Sequence, residues 1–263
     1  MRLDTLLADR GLFASRTRAA ASVMAGEVRV GHERRRAAKP GELVSSDVAV
    51  ELAQRPRFVS RGGEKLANGL LATAPRRLDV VGRKALDVGA STGGFTDCLL
   101  QLGVEHVTCV DVGYGILDAR LRQDARVTVI DRCNARYLVA DELPYRPDLI
   151  VVDVAFISLT RVLPAVLASA APRYDALALV KPQFEVGRER VGRGGVVRDA
   201  GARREALVTI AETAQRLGAA VLGFASSGLP GPKGNRETFI WLAEPTRPDA
   251  VADLAKAARG VEP

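Results

Sequence analysis

The sequence predicts an α/β protein with a doubly wound, mostly parallel sheet in its larger C-terminal part and a small α+β module ahead of it. Three observations carry that expectation. From residue 61 onward short apolar runs alternate with helical stretches, the rhythm of a parallel sheet covered on both faces. The last two apolar runs, AAVLGFAS and ETFIWLAE, are joined by the Gly/Pro-rich loop GLPGPKGN with no helix between them, which implies an antiparallel hairpin ending the sheet. The first 60 residues follow another pattern and hold eleven basic and seven acidic side chains, a disproportionate share of the net charge of +7.

In chain order, Leu3, Leu6 and Leu7 share one face of a helix expected over residues 3–12. Ser15 is placed to cap a second helix through RTRAAASVMA, which Gly26 stops. Glu27–Val30 alternates as a short strand, Arg34-Arg35-Arg36 reads as a basic loop, and the Lys39-Pro40-Gly41 turn leads to a strand at Val48–Leu52. Residues 53–60, AQRPRFVS, read as a linker, so the expected domains are 1–60 and 61–263. Strands follow at KALDVG, HVTCVDVG, RVTVID, PDLIVVDVAF and DALALVKP, with helices at TDCLLQLG, Leu117–Arg122, Leu159–Ala170 and Ala202–Leu217.

Composition narrows the class. At 263 residues, 47% hydrophobic and 26% charged, the chain is neither disordered nor fibrous as a whole. Three cysteines without CxxC pairing argue against a disulfide framework and a structural zinc site, and no metal is expected. There is no apolar run long enough to span a bilayer, and MRLDTLLADRG lacks a signal-peptide core, so a cytoplasmic location without membrane association is expected. The basic surplus favours a polyanionic partner. Oligomeric state is left open.

The best-defined motif is ALDVGASTGGFT, residues 85–96: an apolar strand, a glycine-rich turn, then a helix. Ligands of such sheets bind outside the carboxyl ends of the strands. Asp87, Gly89, Ser91, Thr92, Gly93, Gly94, Phe95 and Thr96 are therefore candidate cofactor contacts, with the glycines expected to let backbone approach the ligand. The spacing G-x-x-x-G-G is not the dinucleotide fingerprint and lacks the Gly-Lys-Ser/Thr of a phosphate loop. It fits a ligand whose amino-acid end sits over a tight turn, as that of S-adenosylmethionine does. Asp111, with Val112 beside it, ends the next strand where an acid can accept ribose hydroxyls. Asp131 and Asn134 either reach the adenine edge or cap turns. Asp153 and Lys181 end the fourth and fifth strands, Glu237 opens the last, and Lys65 lies in SRGGEK just before the first.

LDVGASTGGFTD, VDVGYG, DLIVVDVAFISL, LVKPQFEVG and GPKGN-ETF together resemble the TlyA family, from Leu3 to Leu242. The resemblance implies a class I (Rossmann-like) methyltransferase fold with a reversed terminal strand, similar to FtsJ, behind an S4-like RNA-binding domain. It implies an S-adenosylmethionine-dependent 2′-O-methyltransferase acting on a cytidine ribose in 16S and/or 23S ribosomal RNA, with ribosomal RNA or subunits as partner. The family's Lys-Asp-Lys-Glu tetrad falls on Lys65, Asp153, Lys181 and Glu237. Lys181 is then the expected base for the 2′-hydroxyl, Asp153 orients it and lies by the sulfonium, and Lys65 and Glu237 hold the ribose. Arg2, Arg16, Arg18, Arg29 and Arg61, with the 34–36 run, are expected to track RNA phosphates. The target nucleotide is expected to turn out of its stack. Competing readings are an RNA-binding ribosome-assembly factor with an inactive methyltransferase fold, a membrane-lytic protein, and a nicotinamide oxidoreductase. The intact tetrad weighs against the first, the lack of a spanning or strongly amphipathic segment against the second, and the loop spacing against the third.

Overall fold

The computed structural model describes residues 1–52, 57–73, 76 and 78–262. The chain divides into two compact units, Met1–Pro56 and Arg57–Pro263. Residues 53–56 of the expected linker lie outside the described residues. Residues 57–60, expected as the rest of that linker, instead belong with the larger unit. Phe58 is buried there, and Asp97 accepts the Val59 N–H at 2.8 Å.

The N-terminal unit consists of α1 (Leu3–Asp9), α2 (Arg16–Met24), β1 (Val28–Val30), β2 (Arg35–Arg36) and β3 (Val50–Leu52). Ser15 caps α2 by accepting the Arg18 N–H, and Gly26 follows its end at a φ of +77°. β1 lies antiparallel between β2 and β3. Leu3, Leu7, Ala19, Val23, Val28 and Val30 form its core. The first helix stops three residues short of the expected end. Arg35 and Arg36, expected in a loop, pair as the edge strand β2, since Arg34 takes the turn at a φ of +54°.

The larger unit runs α3 (Arg61–Ala72), β4 (Lys84–Val88), α4 (Gly94–Gln101), β5 (His106–Val110), α5 (Ala119–Arg122), β6 (Val127–Ile130), β7 (Leu149–Val152), α6 (Leu159–Ala168), β8 (Asp175–Val180), α7 (Pro182–Glu185), α8 (Ala200–Arg216), β9 (Ala220–Ser226), β10 (Thr238–Ala243) and α9 (Leu254–Val261). The sheet order is β6-β5-β4-β7-β8-β10-β9. β4 through β8 are parallel, and β10 runs antiparallel to both β8 and β9. The last strand is thus inserted inside the sheet, not added at its edge.

Both faces of the central strands are covered, so their side chains are mostly apolar in each direction, with Asp87 of β4 and Thr108 of β5 as buried polar exceptions. Along β7, Ile150 and Val152 join the core under α6 and α8, with Leu163 and Ile210. Leu149 and Val151 face the other layer, where Leu66 of α3 and Phe95 and Leu99 of α4 pack with Phe239 of β10. Burying one such leucine or phenylalanine contributes about 1.5–3 kcal/mol, so these layers hold the loops at the strand ends in place.

Candidate active site

Strand order reverses at β4, and a crevice opens there at the carboxyl ends of β4 and β7. Four of the parallel strands end on segments that line it: β4 on Gly89–Thr92, β5 on Asp111, β7 on Asp153 and β8 on Lys181. Because β10 is reversed, its beginning lies at the same edge, and Glu237 immediately precedes it.

Lys65 reaches this edge from α3. The buried positions Gly63, Leu66 and Gly69 give that helix a face against the sheet. A Cβ at Gly69 would stand 2.5 Å from the Phe239 ring, so the bare glycine lets α3 lie close on β10. One turn earlier, Lys65 Nζ meets Glu237 Oε2 at 2.5 Å, with both side chains buried. Lys181 Nζ lies 2.5 Å from Asp153 Oδ1 in a second ion pair that is more open to solvent. All four residues line one cavity of about 350 Å³, together with Ser60, Arg61, Gly62, Gly94, Phe95 and Pro232.

The segments carrying Asp153 and Lys181 are braced to each other. Glu185 of α7 accepts the Leu159 N–H at 2.9 Å and the Ser158 hydroxyl at 2.5 Å, tying the region after β8 to the start of α6. Burial pushes the Glu185 carboxyl above the ordinary carboxylate range. Phe156, 92% exposed and at a φ of +65°, packs against Phe184 with ring centroids 5.4 Å apart.

A second cavity of about 260 Å³ shares Gly89, Ser91 and Asp153 with the first and extends past Asp111, Val112, Asn134, Phe156 and Ile157. Asp111 accepts the N–H groups of Ser91 and Gly113 at 2.8 and 2.7 Å. Each oxygen keeps a second acceptor site, so the carboxylate can still take ribose hydroxyls. One lobe is therefore polar with paired charges, the other more apolar with one oriented carboxylate.

Several sequence expectations change here. Asp87 and Thr96 line neither cavity: both are fully buried, with the Thr96 hydroxyl donating to Asp87 at 2.6 Å. Burial pushes the Asp87 carboxyl up to about 7, because the central strand is enclosed on both faces. Gly93 lines neither cavity, and the glycines serve protein packing more than ligand approach. A Cβ at Gly89 would meet the Asp153 carbonyl, one at Gly93 the Leu121 and Leu117 side chains, and one at Gly94 the Ser60 hydroxyl. Gly89 and Gly93 also sit at φ of +82° and +96°. Asn134 caps a 3₁₀ turn by accepting the Arg136 N–H, while lining the second cavity. Asp131 pairs with Arg122 at 3.1 Å. Ser60, Pro232 and Phe156 were not anticipated as cavity walls, and Glu185 was not anticipated as a brace; only the motif around each pointed to them.

The expected RNA-facing arginines differ in their surroundings. Arg2 and Arg16 both bind Asp4, Arg18 and Arg29 are exposed, and Arg61 donates to the Pro230 carbonyl at 2.9 Å. Arg34 and Arg35 pair with Glu51 and Glu42.

A seven-stranded sheet with its reversed strand next to the edge, and a bilobed cleft over the switch point, define a class I methyltransferase fold. Residues 58–244 match the FtsJ-like methyltransferase model and residues 1–45 the S4 domain. The chain belongs to the FtsJ-like methyltransferase family, in the branch that carries an S4 domain and includes TlyA. It is 45% identical over 263 residues to the 16S/23S rRNA (cytidine-2′-O)-methyltransferase TlyA of Mycobacterium tuberculosis, covering 99% of this chain and 94% of that protein. It is 41% identical to YqxC of Bacillus subtilis over 246 residues, 93% of this chain and 86% of that one. A solved Streptococcus thermophilus structure, named a putative hemolysin, superposes with a TM-score of 0.73 at 37% identity, covering 99% and 94% of the two chains. Among the described residues no helix is long and apolar enough to cross a membrane.

Proposed function

We propose that this chain transfers a methyl group from S-adenosylmethionine to the 2′-hydroxyl of a cytidine in ribosomal RNA, on 16S and/or 23S. The observation that carries the proposal is the convergence of two amine–carboxylate pairs, Lys65–Glu237 and Lys181–Asp153, on one cavity that opens into a second, nucleoside-sized lobe. The specificity for cytidine in ribosomal RNA rests on the name of the M. tuberculosis relative.

The cleft suits the donor chemically. Asp111 retains acceptors for ribose hydroxyls, Val112, Phe156 and Ile157 supply apolar walls for a base, and Ser91 and Thr92 on the wall of the first lobe supply polar side chains for an amino-acid end. When bound, the donor supplies a methyl carbon with its leaving group already attached. Asp153 lies on the wall common to both lobes, where its charge favours a sulfonium.

The protein's remaining tasks are to align the 2′-oxygen and take its proton. Lys181 is the base in this reading: Asp153 orients its amine toward the 2′-hydroxyl, whose proton it takes. Lys65 and Glu237, buried against each other, form a rigid wall that donates to and accepts from the acceptor ribose. The S4 unit adds RNA affinity through exposed arginines, and a flipped target nucleotide gives the in-line geometry.

The test is transfer of labelled methyl to ribosomal subunits lacking 2′-O-methyl groups. The native chain should label cytidine ribose and Lys181→Ala should not, while still binding donor and subunit. Binding of subunits without any labelling would favour the assembly-factor reading instead.

A further inference from the structure

We infer that Asp4 is the positioning residue of a phosphate-binding guanidinium pair, Arg2 and Arg16, on the N-terminal unit. Asp4 is a buried acid in the first turn of α1, its side chain 3% exposed. Arg2 grips it with two bonds, Nε to Oδ1 at 3.0 Å and Nη2 to Oδ2 at 2.7 Å. Arg16, from the start of α2, adds Nε to Oδ2 at 3.2 Å. These arginines hold the carboxyl well below the usual carboxylate range, so it stays charged.

Arg2 is confined on a second side as well. Asp4 N–H donates to the Pro40 carbonyl, and Arg2 forms a bridge with Leu43, which lays the Arg2 side chain over Gly41. A Cβ at Gly41 would stand 2.9 Å from Nη1 of Arg2, so the glycine leaves the space the guanidinium fills. Asp4 thus turns two long, flexible side chains into a fixed fork.

The fork is still open outward. The Arg2 and Arg16 side chains are 47% and 60% exposed. A guanidinium has five N–H donors; Arg2 keeps Nη1 free of Asp4, and Arg16 keeps both Nη groups. One carboxylate against two guanidiniums leaves a net positive charge facing solvent. A pre-set pair of planar donors with residual positive charge suits the phosphodiester oxygens of RNA, and pre-ordering removes the entropy cost of fixing two arginines at binding.

The inference rests on the RNA-binding reading of the unit, and its test separates the two. Binding of a 16S ribosomal RNA transcript to the full chain is measured at two salt concentrations for native protein, Asp4→Asn, Arg2→Gln/Arg16→Gln and the triple variant, with thermal melting and S-adenosylmethionine binding on each. Asp4→Asn adds one positive charge, so long-range electrostatics alone would tighten binding. Positioning predicts the opposite: affinity falls about five- to tenfold. In the Arg2→Gln/Arg16→Gln background, Asp4→Asn should cost nothing further.

Asp4→Asn binding as tightly as the native chain, or more tightly, would overturn the inference. So would an equal loss in both backgrounds, which marks Asp4 as a folding residue only. Failure of the methyl-transfer proposal appears elsewhere, as absent labelling of subunits by the native chain.

Discussion

A Cβ on residue 89 would stand 2.5 Å from the carbonyl oxygen of Asp153, so Gly89 and the strand end that presents Asp153 touch through bare backbone. β4 and β7 are neighbours in the sheet, and Asp153 N–H donates to the Val88 carbonyl at 2.9 Å. The glycine at the head of the turn therefore sets where a candidate catalytic acid sits.

Gly89→Ala should accordingly damage two properties together. The residue is held at a φ of +82°, where an alanine is strained, and its methyl would push on the Asp153 backbone. The expected loss is about 2 kcal/mol or more in denaturant unfolding, with weakened donor binding by calorimetry. Native stability with impaired donor binding alone would instead assign the glycine to ligand approach.

Lys65→Met should leave Glu237 as a lone buried charge and destabilise the fold by about 3–5 kcal/mol. Lys65→Met with Glu237→Leu should recover most of that stability, because both charges are then gone. Methyl transfer should stay lost in both variants. Urea titration and the labelling assay read the two outcomes separately.

Lys181→Arg keeps a cation beside Asp153 yet cannot give up its proton near neutral pH. If Lys181 takes the hydroxyl proton, the rate constant in single turnover should fall about 10²- to 10⁴-fold, with donor and RNA binding retained. A variant of near-native rate would reduce Lys181 to an electrostatic role.

Asp87 makes stability depend on pH in a direction opposite to an ordinary surface acid. Burial raises its folded value to about 7, above that of the unfolded chain near 4, so the folded state holds the extra proton in between. Its contribution is present at low pH and declines as pH rises toward 7, by an upper bound of about 4 kcal/mol. The difference in unfolding free energy between native protein and Asp87→Asn, followed from pH 4 to 8, should show this slope; a flat difference would contradict it.

Much of this was readable because periodicity and punctuation agree. Strand–helix alternation from residue 61, Ser15 before α2 and the GPKGN hairpin all translate directly into observed elements. What sequence could not convey was insertion. Pairing of β10 with β9 is local, but its second pairing, with β8, depends on which edge the hairpin approaches. Asp87 misled because an acid at a strand end reads as a ligand group, whereas alternation on an enclosed strand turns it into the core. Asp4 was missed for a related reason: in a helix's first turn an acid reads as a dipole partner, and nothing local marks two arginines converging on it. Lys65 and Glu237 were expected at one site from the family resemblance; the glycine at position 69 that lets them meet was not.

The inserted position of β10 has a consequence for synthesis. During translation the S4 unit, the glycine turn and Asp153 all leave the ribosome well before the segment that slots between β8 and β9. A nascent or prematurely released chain ending ahead of Glu237 would display its arginines while Lys65 still lacked its carboxylate partner. On the proposed function such a fragment would occupy an RNA without modifying it, and the order of assembly would hold chemistry back until the polypeptide is nearly finished.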